Sequence, residues 1–166
     1  MPIAPGTNEL STLAKFIYAT LTGDSYWNTT FTQNNDQFFE EVIPAGIQVT
    51  KPAAMFQLVH AEYIKGAFGF RLYTASIYQI KGVVEGADFS LLEDMANQID
   101  RLFDWQNQID NTGHPKNQQV WTDPDTGQQT MIMGMTGNRP IKFDTFIDGV
   151  NYCHLGGEYA IDYYSM

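Results

Sequence analysis

Only one cysteine, Cys153, occurs in the chain, which rules out an intramolecular disulfide framework. A lone cysteine in an apolar stretch reads as a small buried hydrophobe of a strand rather than as a reactive thiol. Basic residues are scarce too: nine Lys and Arg stand against 19 Asp and Glu, for a net charge of −10. Binding to a phosphate backbone needs cations that displace counterions, and anionic bilayers attract the same residues, so neither is expected as a docking target. An acidic balance suits a surface that stands beside DNA without holding it, and it serves solubility equally well. No apolar stretch approaches the roughly 20 residues that span a bilayer. Residues 1–6 have neither a basic n-region nor an apolar h-region, so no signal peptide is expected and the chain is expected to act in a cytoplasm. Charged residues of both signs make up 17 %, below the roughly 25 % of typical globular domains. Against these shortages the aromatic fraction is 14 % and the hydrophobic fraction 43 %. That is enough for a core, with rings left over to cover surface against other proteins.

Periodicity divides the chain into alternating groups of elements. Leu10, Leu13, Ala14, Ile17, Tyr18 and Leu21 recur at helical spacing and predict an amphipathic helix from about Asn8 to Thr22. Thr7 or Asn8 would cap it, and Gly23 would end it in a left-handed conformation. Asp24 to Asp36 reads as a polar loop carrying the rings of Tyr26, Trp27 and Phe31. A short apolar run, Phe38 to Ile43, stops at the turn Pro44-Ala45-Gly46. Ala53 to Ala61 alternates as a strand, with Phe56 and Leu58 on one side and Met55, Gln57 and Val59 on the other. Phe70 to Val84 is rich in Tyr, Ile, Val and Thr and predicts a second strand, joined to the first through Gly66 and Gly69.

Asp88 is a good N-cap for a helix from about Phe89 to Asp104, whose stripe is Leu92, Met95, Ala96, Ile99, Leu102 and Phe103. Gln106 to Gln119 reads as a loop. Val120 to Thr122 and Gln129 to Met135 flank Asp123-Pro124-Asp125-Thr126-Gly127, a strong turn signal that predicts a hairpin. Ile141 to Ile147 and Tyr159 to Tyr164 read as two more strands, around Asp148-Gly149 and Gly156-Gly157. Strict β-α-β alternation is missing. The expected fold class is therefore α+β, a mostly antiparallel β-sheet with two amphipathic helices packed on one face, in a single domain over residues 1–166.

The familiar arrangements of reactive residues are absent. His60, His114 and His154 fall in three different segments. Cys153 and His154 are neighbours in a strand and would point to opposite faces, so they would not converge on a metal. Asp100 and Asp104 share a helix face and read as solvated. Asp123 and Asp125 begin like a calcium loop, but Gln128 and Gly134 stand where glycine and glutamate are required. There is no Gly-x-Ser-x-Gly elbow and no phosphate-binding glycine loop. No catalytic residue, cofactor site or metal site is assigned, and the chain is not expected to be an enzyme.

Several segments in their order carry a resemblance: Ile17-Tyr18-Ala19-Thr20-Leu21-Thr22-Gly23-Asp24; Phe39-Glu40-Glu41-Val42-Ile43-Pro44-Ala45-Gly46; the strand after Lys51-Pro52; Tyr78-Gln79-Ile80-Lys81-Gly82-Val83; the helix from Leu91 to Phe103 with Gln98-Ile99-Asp100; and Tyr152-Cys153-His154-Leu155-Gly156-Gly157-Glu158-Tyr159. Together they resemble the tail completion, or tail terminator, proteins of long-tailed bacteriophages. Residues 24–36 and 106–119 look like insertions relative to that pattern. The resemblance implies a structural virion protein at the tail–neck junction: a homo-oligomeric ring, a hexamer, that caps the tail tube, stops its polymerisation and offers its other face to the head-completion (neck) protein. Genomic DNA would pass through the lumen unread, with no membrane involved. A head-completion or stopper protein of the neck is the alternative, and a small ligand-binding or enzymatic α+β domain is a third reading. Tyr26, Trp27, Phe31 and Trp121 are the candidate interface anchors, because aromatics dominate interface energetics. The same rings serve equally well to close the subunit's own core.

Overall fold

The computed structural model describes residues 5–30, 38–40, 53–86, 88–109, 113, 114 and 116–166. Helix α1 spans Pro5–Gly23 and α2 spans Ser25–Thr30. Strand β1 is Phe38–Glu40, β2 Ala53–Lys65 and β3 Arg71–Glu85. Helix α3 is Phe89–Phe103, and β4 (Gln119–Thr122), β5 (Gln129–Ile147) and β6 (Val150–Ser165) complete the order. The six strands form one sheet in the order β1-β2-β3-β6-β5-β4. Every pairing is antiparallel except that of β1 with β2. The expected α+β class, with a mostly antiparallel sheet, is what the chain adopts.

The helices sit on one face because the pleat sorts the side chains by parity. Tyr78, Ile80 and Val84 of β3 and Cys153, Tyr159, Ile161 and Tyr163 of β6 join Ala54 and Phe56 of β2 in the main core. Leu13, Ala14, Ile17 and Leu21 of α1, and Leu92, Met95, Ile99 and Phe103 of α3, fill the other side of it. These are members of the two stripes read from the sequence. Asp88 caps α3, its Oδ1 accepting from Leu91 N at 3.1 Å. A Cβ on Gly82 would stand 2.9 Å from Met95 Cε, so the missing side chain lets α3 settle onto β3.

Four expectations need correction. Gly23 is not among the glycines with positive φ; α1 instead gives way to α2 through Asp24, whose Oδ1 accepts from Tyr26 N at 3.1 Å. The polar loop expected from Asp24 is therefore helical as far as Thr30. Gly156 and Gly157 do not break the chain into separate strands but lie inside β6. A Cβ on Gly156 would come within 2.2 Å of the Ile80 carbonyl oxygen and 2.5 Å of Lys81 Cα, so glycine here permits strands to approach rather than turn. Strand β5 likewise runs unbroken from Gln129 to Ile147, bending at register shifts near residues 133 and 138. The expected turn at Pro44-Ala45-Gly46 lies outside the described residues.

Candidate protein interface

The four aromatic candidates separate once placed. The Asp24 cap starts α2 so that Trp27 points inward, 1 % exposed, with the Tyr26 ring edge-on at 5.4 Å. Trp27 is thus a core residue of its own subunit and offers no exposed anchor. Tyr26 is half-buried and donates its hydroxyl to Asp94 Oδ2 of α3 at 2.7 Å. Burial and that carboxylate push its phenol well above the usual range. Trp121 of β4 is half-buried and meets Phe16 of α1 edge-on at 6.1 Å. Phe31 lies outside the described residues.

The exposed rings lie elsewhere, at the two ends of the sheet. The β2–β3 connection, a 3-10 turn at Ala67–Gly69, carries Phe68 at 96 % and Phe70 at 72 % exposure, with Leu72 just behind them at 58 %. Phe68 has φ +63°, an uncommon backbone for a bulky residue. Arg71 lays its guanidinium 4.7 Å over the Tyr63 ring. At the opposite end, Phe146 and Ile147 are exposed beside the two-residue turn Asp148-Gly149, both at positive φ as an Asp-Gly hairpin turn requires. The sequence held a signal for the first site, since a phenylalanine between two turn glycines has no strand neighbours to cover it.

The sheet also has two open edges among the described residues. Strand β1 pairs only with Ala54 to Phe56 of β2, and β4 only with Gln129 to Ile132 of β5. The remaining lengths, Gln57 to Lys65 and Met133 to Ile147, have no further strand beside them. Three antiparallel pairings separate β2 from β5, so these two edges run in opposite senses.

Beside β4, a groove of about 560 Å³ opens between α1 and the end of α3, with Phe16, Ala19, Leu102, Ile109 and Trp121 as its apolar lining. Its cations are already engaged. Arg101 pairs with Asp24 at 2.6 Å, and Lys116 sits 4.4 Å over the Trp105 ring, where burial lowers its pKa. Next to Phe16 in α1, Lys15 bridges Asp123 and Asp125, each at 3.0 Å. The Asp125 backbone N–H, with Lys15, holds the buried Asp123 carboxyl below its usual pKa. That turn, read as a failed calcium loop, is pinned by a lysine.

Several titratable groups outside this region are bonded among the described residues. Asp100 is exposed on α3, as expected of a solvated face, and also accepts from the Tyr159 hydroxyl, because the Tyr159 ring folds over Gly157 and reaches α3. Asp104 caps the turn Trp105–Asn107. On the face opposite the described helices His154 stacks on Phe143 at 4.4 Å, and its Nε2 lies 2.8 Å from Thr145 Oγ1. Burial, with Lys81 nearby, lowers the His154 pKa to about 4, and burial lowers that of Lys81 to about 8. Cys153 faces the opposite side, donates to the Gly86 carbonyl at 2.9 Å, and has its thiol pKa raised by burial. Among the described residues no three His, Cys, Asp or Glu side chains gather as a metal site would require. No helix among them is long and apolar enough to cross a membrane.

The described residues define an α+β protein with a mostly antiparallel sheet, open edges among those residues and aromatic tips. No protein-family model matches the chain, and no curated protein matches it either.

Proposed function

We propose that this chain is a structural subunit of a long-tailed bacteriophage: a tail terminator that closes into a ring on the tail tube, stops its growth and presents the other face of the ring to the neck protein. The observation that carries an assembling role is the pair of open edges of opposite sense, with large apolar side chains exposed at both ends of the sheet. A heterologous contact sets one edge of a subunit against the other edge of the next, and a rotation that closes gives a ring. Strands β5 and β2 meeting in this way are antiparallel, so the alternation of the sheet continues across the joint and the edge lengths that meet are covered. The narrower assignment to tail termination comes from the ordered resemblance of segments, from the N-terminal helix to the Gly156-Gly157 strand. The acidic balance suits a ring whose lumen passes DNA without gripping it.

The test is a native mass of the purified protein, alone and mixed with the tail tube subunit. Six chains, alone or only on the tube, support the terminator reading. A strict monomer that ignores the tube protein but binds a portal-side neck protein moves the assignment to a neck stopper. A monomer that ignores both sinks the virion role.

A further inference from the structure

We propose that the β2–β3 hairpin tip, Phe68 and Phe70, is a knob that enters the groove between α1 and β4 of a second copy of this chain. The inference rests on the ring reading and names its contact.

Register places the two partners. One row of paired residues crosses the sheet: Tyr63, Thr74, Tyr163, Ile132 and Gln119. The chain passes Lys65 and enters the tip two residues beyond Tyr63 on β2. Trp121, on the groove wall, stands two residues beyond Gln119 on β4, toward the same end. Knob and groove therefore lie at one level on opposite margins of the sheet. They are separated by four strand spacings, roughly 19 Å, so a subunit cannot fill its own groove. Two sites at equal height on opposite margins are what a rotation without translation needs in order to close.

Chemistry agrees with the placement. The tip is apolar and flanked by Lys65 and Arg71, whereas the turn that follows Trp121 of the groove wall sets two carboxylates, Asp123 and Asp125, against the single cation Lys15, with the Asp125 side chain 74 % exposed. In a chain of net charge −10, two cations beside two phenylalanines match the one net negative charge that Lys15 leaves on the Asp123–Asp125 turn of another copy. Inside the groove Arg101 and Lys116 already have partners, so no anion is called for, and an aromatic face is a suitable neighbour for either cation. Phe68 also holds its positive φ while almost fully exposed, with no intramolecular packing to reward that conformation.

The experiment is disulfide trapping of the full-length protein on the tail tube, with Phe68→Cys and Ile109→Cys. Both positions are exposed and Cys153 is buried, and thermal melts of each variant confirm folding. A disulfide needs Cα atoms within about 7 Å, so a bond between these positions is intermolecular. The double variant is expected to give a ladder of covalent oligomers under oxidation, and a mixture of the two single variants is expected to give dimers only. Reversing the two cations with Lys65→Glu and Arg71→Glu is expected to lower assembly at least tenfold, and Asp125→Lys is expected to restore part of it. A native mass that shows the ring with no Phe68–Ile109 bond overturns the knob and leaves the ring reading standing. Dimers from Phe68→Cys alone indicate tip-to-tip contact and overturn it likewise. A monomer under all conditions removes both.

Discussion

The two faces of the sheet bury their residues by different means. Under the helices, wide apolar side chains interlock: Ile80, Met95, Ile99, Phe103 and Tyr159 are all fully buried. On the other face Ala53, Met55, Val83 and Tyr152 form a small apolar cluster, and the neighbouring burial is polar. Lys81, His154 and Glu158 are each about 5 % exposed or less there, with no helix above them among the described residues. Lys81 lies 4.4 Å over the Phe143 ring and donates to Gln79, while Arg139 holds Glu158 through two bonds of 2.8 Å. The first face depends on volume, and the second on pairings that protons and salt can change.

That contrast can be broken from either side. Phe103→Ala empties the centre of the helix-covered face and is expected to cost about 3–5 kcal/mol in denaturant unfolding. A loss under 1 kcal/mol would show that volume is not what holds α3 down. Gly156→Ala forces β3 and β6 apart at the Ile80 carbonyl, with an expected loss of about 3 kcal/mol at the top of the overpacking range. Tyr159→Phe keeps the ring and removes the bond to Asp100, and about 1.5–3 kcal/mol should go with it. Equal melting temperatures for the two proteins would mean the hydroxyl is idle.

The polar face should answer to pH. His154 titrates near 4 in the fold and near its ordinary 6.5 when unfolded, so between those values the unfolded chain binds the extra proton. Its contribution is complete above pH 6.5 and is lost as pH falls toward 4. Subtracting the stability profile of His154→Asn from that of the native chain should leave a slope in that window alone; a flat difference would deny the burial. The smallest effect is expected at Phe146→Ser, within about 0.5 kcal/mol by thermal melt, because its ring is exposed and touches neither face's core.

Much of the fold was legible because it depends on local rules. The stripe Leu92, Met95, Ile99 and Phe103, the Asp88 cap and the Asp123–Gly127 turn each follow from periodicity or side-chain hydrogen bonding. Gly156-Gly157 misled because a glycine pair signals a turn locally, while its use here depends on a strand more than 70 residues away in the chain. The Tyr159 partner of the exposed Asp100 was hidden for the same reason, since Tyr159 reaches it only after the sheet has formed. The interface candidates were the least legible. Ring content alone does not separate Trp27, which α2 turns inward, from Phe68, which a glycine-bounded turn leaves uncovered.

Strand β6 sits between β3 and β5 and pairs with both along nearly its whole length, yet it is the strand made last of the six. Until the ribosome has delivered it, the growing chain can hold a β2–β3 hairpin and a β4–β5 hairpin whose inner edges have nothing between them. The sheet therefore closes in one late step, the insertion of a central strand, and the interval before it is when these hairpins are most exposed to wrong partners. That delay orders events: the central strand must be in place before the outer edges of the sheet are fixed.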